Sequence, residues 1–81
     1  MKANPQLVSR ILRKAGYGVV VSFMREGLRV SRSGNGACVS AQFDSAATQV
    51  RRIIEVRDFL IEQGFNVTLD GGCVHVTAKE G

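Results

Sequence analysis

A chain of 81 residues is long enough for one domain with a modest core and too short for two. Hydrophobic residues at 44% against 22% charged exclude a disordered chain, two cysteines exclude a disulfide-framed scaffold, and no apolar run approaches the ~18 residues of a membrane helix. The formal charge of +4 is unevenly spread: residues 1–43 carry seven basic side chains against Glu26 alone, a net of +6, while residues 44–81 carry four against six acidic ones, a net of −2.

Asn4-Pro5 opens the first predicted helix. Asparagine accepts from an orphan backbone N–H there, and proline suits the first turn, where its missing N–H is not needed. Leu7, Val8, Ile11, Leu12 and Ala15 form an apolar stripe, Arg10, Arg13 and Lys14 share the opposite face, and Gly16 ends the helix. Tyr17 to Phe23 reads as a first strand, Met24 to Gly27 as a turn, and Leu28 to Ser33 as a second strand with Leu28 and Val30 inward. Ser33-Gly34-Asn35-Gly36 signals a hairpin, because Asn-Gly tolerates the positive φ of tight turns. Ala37 to Phe43 is the third strand, with Ala37, Val39, Ala41 and Phe43 inward.

Asp44 or Ser45 caps a second helix that runs to about Gln63 and stops at Gly64. Its main stripe is Val50, Ile53, Ile54, Leu60 and Ile61, widened by Val56 and Phe59. A stripe this wide predicts either burial on more than one side or contact with a partner, for which Val56 and Phe59 are the expected residues. Phe65 to Leu69 and Cys73 to Ala78 close the chain as a hairpin around Asp70-Gly71-Gly72.

A shift of 48 positions superposes Val8, Leu12, Gly16 and Val19 on Val56, Leu60, Gly64 and Val67. Either an α-β-β unit is duplicated (residues 5–33 and 46–78), or helix-glycine-strand junctions share a chemistry. The expected architecture is a single α+β domain over 1–81, with two layers and two helices on one face of an antiparallel sheet, in the order α-β-β-β-α-β-β.

The sheet face away from the helices is expected to be polar, with Arg29, Ser31, Cys38, Ser40, Cys73 and His75 on it and no carboxylate. Cys73-x-His75 with Cys38 lacks the close C-x₂-C or H-x₃-H pair of structural zinc sites, so no metal is expected. A disulfide between Cys38 and Cys73 requires that their strands be neighbours, and an intracellular setting disfavours it. The chain has one histidine, no nucleophile elbow and no acid beside Cys73 and His75 in sequence, so neither catalysis nor a cofactor is expected. The Arg32–Gly36 loop offers backbone N–H groups and an arginine to a phosphate without being a P-loop.

Two functional readings follow. In the first, the basic half binds nucleic acid through phosphate contacts from Arg10, Arg13, Lys14, Arg25, Arg29 and Arg32. In the second, the chain is a protein-interaction module, a homodimer or an inhibitor of a host protein, that uses the second helix at Val56 and Phe59 or an open sheet edge. Neither involves a membrane. With no apolar leader segment at its start, the chain is expected to be cytoplasmic.

The α-β-β-β-α order of residues 5–63 resembles the double-stranded-RNA-binding fold and the HicA-type toxins built on it. The chain has Asp44-Ser45-Ala46-Ala47-Thr48-Gln49 where those binders carry a lysine cluster, and its sole histidine, His75, is not in the toxins' early Gly-Ser-His segment. The run Arg25-Glu26-Gly27-Leu28-Arg29-Val30-Ser31-Arg32, followed by a Val-rich strand, an Ala-rich helix and Gly64-Phe65-Asn66-Val67, is similar to small proteins encoded by actinobacterial phages. That resemblance implies a bacterial cytoplasm and an accessory protein that binds something of host or phage.

Overall fold

The computed structural model describes residues 3–20 and 26–78. In chain order these form α1 (Pro5–Lys14), β1 (Gly27–Ser33), β2 (Gly36–Gln42), α2 (Ala46–Glu62), β3 (Phe65–Asp70) and β4 (Cys73–Ala78). The four strands make one antiparallel sheet in the order β1-β2-β4-β3. Two hairpins thus stand back to back, with β2 and β4 joined at the centre.

Strand alternation decides which residues meet the helices. Val39 lies between Val30 and Val74, and Val76 lies between Ala37 and Val67, so one sheet face is a continuous field of small aliphatic side chains. Both helices cover that face, α1 over β1 and β2 and α2 mainly over β3. Val8 and Leu12 from α1 and Ile53, Val56 and Leu60 from α2 complete the buried core. Each fully buried Leu or Val contributes about 1.5–3 kcal/mol relative to exposure. The α+β class and its two-layer form are those expected.

The expected first strand differs. Of Tyr17–Phe23, the described part makes one parallel bridge, Val19 to Leu28, in which Val20 N–H donates to the Leu28 carbonyl and Leu28 N–H to the Gly18 carbonyl, both at 2.8 Å. Residues 21–23 lie outside the described residues. The 48-residue correspondence therefore has a sharp limit. It holds through both helix ends: Val8, Leu12, Val56 and Leu60 are all fully buried, Gly16 and Gly64 take φ of 97° and 94°, and their N–H groups donate to the Arg13 and Ile61 carbonyls at 3.0 Å. Beyond the glycines it breaks, because Val67 pairs antiparallel with Val76 whereas the equivalent Val19 pairs parallel with Leu28.

A second correction concerns α2. Val50, Ile54 and Ile61, expected in its main buried stripe, are 60%, 39% and 51% exposed. Helical geometry sets them roughly 100° around the axis from Ile53, Val56 and Leu60, and a sheet can cover only one such arc. Ala15, expected in the α1 stripe, is exposed at the helix end.

Candidate nucleic-acid interface

The N-terminus of α1 is fixed by Leu7 N–H donating to Asn4 Oδ1 at 2.8 Å, with Pro5 opening the first turn. Val8 and Leu12 anchor the inner side and thereby aim Arg10, Arg13 and Lys14 outward, all three exposed. Arg10 stands three and four residues from the other two, so the cations are neighbours on one face. Like charges at that spacing destabilise a helix by about 0.2–0.5 kcal/mol per pair. Arg13 and Lys14 recover part of this by sitting in the last turn, at the negative end of the helix dipole.

What sets this face apart is the lack of carboxylates. Among the described residues none of Arg10, Arg13, Lys14 and Arg32 makes an ion pair, whereas on α2 Arg52 pairs with Glu55 at 3.1 Å and Arg57 with Asp58 at 3.0 Å. An open depression of about 800 Å³ runs along α1, lined by Pro5, Gln6, Ser9, Arg10, Arg13 and Lys14. Five hydrogen-bonding or charged side chains with a positive field and no fixed anion suit a phosphate backbone.

The other expected basic residues do not all join this patch. Arg32 faces the helix layer at the end of β1, opposite Ala37 in register. Arg29 points to the other sheet face, opposite Ser40, and Arg25 lies outside the described residues. The expected partner contacts Val56 and Phe59 are also displaced. Val56 is fully buried, and Phe59 is half-buried against Tyr17 with ring centroids 5.6 Å apart. The exposed apolar residues of α2 lie on its other side.

The open sheet face holds the second cluster. Register places His75 opposite Cys38 on one side and Thr68 on the other. Its Nδ1 lies 3.3 Å from Ser33 Oγ, a hydrogen bond whose direction follows the imidazole tautomer, and its Nε2 lies 4.0 Å from Asp70 Oδ2. The face is thus not free of carboxylates: β3 runs through Asp70 and presents it there. Cys38 and Cys73 lie on neighbouring strands; burial first, then the nearby Cys73 thiol, pushes the Cys38 thiol up to about 11. Both cysteines are free. Among the described residues no group of three or more His, Cys, Asp or Glu side chains is placed to hold a metal ion. No described helix is long and apolar enough to cross a membrane.

Sequence reasoning missed Asp70, which reads as a turn residue before Gly71-Gly72, and Ser33, which reads as part of a hairpin loop. Their meeting with His75 depends on strand order, which no local signal carries. Comparisons with protein-family models, with curated proteins and with solved structures return no match.

Proposed function

We propose that this chain is a nucleic-acid-associated protein that binds rather than catalyses, gripping phosphates with the outward face of α1 through Arg10, Arg13 and Lys14. The observation that carries this reading is three exposed cations on adjacent turns with no acidic partner among the described residues. A chain that needed only a solvated helix face would gain stability from an interspersed Glu or Asp, as on α2. Arg32 adds charge from the same layer. Binding of this kind gains free energy by releasing condensed counterions, so it is largely indifferent to sequence and weakens steeply with salt. The likeness to small phage-encoded proteins suits an accessory role of this sort in a bacterial cytoplasm.

The test is charge reversal. With labelled duplex DNA, single-stranded DNA and RNA in ~50 mM salt, the variant Arg10→Glu/Arg13→Glu loses at least roughly tenfold in affinity, and its salt slope falls by about two for each chain bound. Arg52→Ala, which removes a cation already paired with Glu55, stays within about twofold. Equal losses in both variants, or no binding by the parent protein, contradict the reading.

A further inference from the structure

The flank of the molecule opposite α1 carries two unfinished surfaces side by side. One is the outer edge of β3, which among the described residues pairs only with β4. Native edges are commonly blunted by lysine, proline or an inward charge. From Phe65 to Leu69 this strand has none of them, and Leu69 is 43% exposed on the helix side. The other surface is the exposed stripe of α2. Ala47, Val50, Ile54, Arg57 and Ile61 follow at intervals of three, four, three and four, the spacing of a helix–helix seam. Phe59 fixes where the stripe points. It packs against Tyr17, just beyond α1, and Val50, Ile54 and Ile61 lie about half a turn around the helix from it, hence over the β3 edge.

We infer that this flank is a two-fold interface with a second copy of the chain, in which β3 pairs antiparallel with β3 and α2 packs antiparallel against α2. One axis perpendicular to the sheet serves both contacts. Neighbouring strands stand about 4.8 Å apart and packed helices about 8–10 Å, so a helix set slightly inboard of β3 meets its copy at packing distance. The contacts of α2 with β4 and β2 as well as β3 put it inboard in this way.

Charge selects a second copy as the occupant. The exposed Arg51 and Arg52 stand in the N-terminal part of α2, Asp58 and Glu62 towards its C-terminal end, and no acidic residue occupies the first turn or basic residue the last. Glu62, in the last turn, opposes the helix's own dipole in a lone chain, whereas Arg51 and Arg52 lie beyond the first turn and gain nothing from it. In an antiparallel pair this distribution becomes complementary. Val50 of one copy comes level with Ile61 of the other, and Arg51 comes beside Asp58, twice by symmetry. The surface lies away from α1, so the inference stands independently of the nucleic-acid reading.

The experiment is sedimentation equilibrium of the full chain across a wide concentration range, with circular dichroism of each variant. The parent protein is expected at twice the 8.8 kDa of one chain. Ile54→Glu, which alters a side chain exposed in the single copy, is expected at one chain mass with its dichroism unchanged. Arg51→Glu is expected to weaken the dimer about tenfold, and Arg51→Glu/Asp58→Arg to restore it, a readout that does not depend on Ile54→Glu folding. A parent protein that stays at one chain mass overturns the inference and leaves the flank to a different protein. A dimer that survives both Ile54→Glu and Arg51→Glu overturns it as well, since the copies then meet elsewhere.

Discussion

Cys38 and Gly36 sit two residues apart in β2 and face the same side of the sheet, and each makes its neighbourhood testable. The Cys38 thiol is held up to about 11 by burial and by Cys73, from an ordinary value of 9.0. Tyr17 is raised in the same sense, first by burial and then by the Glu55 carboxylate. A raised acid favours the fold while it is protonated. The stabilisation is therefore complete below about pH 9 and is lost as pH climbs towards 11. Urea midpoints should hold steady to pH 8 and fall between pH 9 and 11, with a shallower fall for Cys38→Ala; a flat profile would refute the linkage. At Gly36 the constraint is steric, because a Cβ there would run into the Val76 carbonyl oxygen of β4. Gly36→Ala should cost about 1–3 kcal/mol or more, since the obstacle is backbone and cannot swing aside. Chemical denaturation measures it.

At the scale of elements, the caps and stripes carry most of the specification. Asn4→Ala removes the acceptor for Leu7 N–H and should cost about 0.5–2 kcal/mol. Leu60→Ala opens a cavity beneath α2 and should cost about 2–5 kcal/mol, a large share of the stability of so small a domain. Both are read from urea midpoints. The features that were legible in the sequence are local ones. Asn4-Pro5, Gly16 and Gly64 each have a chemical reason to stop or start an element, and each does so; the β1–β2 hairpin forms where expected, but its positive φ falls on Gly34 (56°) and not on Asn35-Gly36. The inward set Leu28, Val30, Ala37, Val39 and Ala41 follows from period-two alternation alone. What was not legible is what depends on a neighbour. Val50, Ile54 and Ile61 are as apolar as Ile53, Val56 and Leu60, and only the position of the sheet separates the covered arc from the open one. The Val19–Leu28 bridge runs parallel for reasons that neither residue expresses. Ser33, Asp70 and His75 meet because β4 stands between β2 and β3.

At the scale of the whole molecule, the sheet divides the labour. The α1 end presents a carboxylate-free cationic face, the α2 end presents an apolar seam beside an open strand, and the polar sheet face joins Ser33, His75 and Asp70 across three strands. In the two-fold assembly, two α1 helices lie on the same side of an eight-stranded sheet, six strand spacings or about 29 Å apart. Both can then engage one nucleic acid, and the number of phosphates neutralised doubles. Monomerisation by Ile54→Glu should therefore roughly halve the salt slope without touching a cation of α1.

The most direct measurement is the dependence of nucleic-acid affinity on salt, followed by fluorescence anisotropy between ~50 and ~200 mM. Three cations on one α1 face predict a slope of log K against log salt of about −2.7 on duplex DNA, and about twice that for the dimer. A slope in that range, reduced in Arg10→Glu/Arg13→Glu, is the result expected. Absence of binding at the lowest salt, or binding that ignores salt, would contradict the proposal that α1 is a phosphate-gripping face.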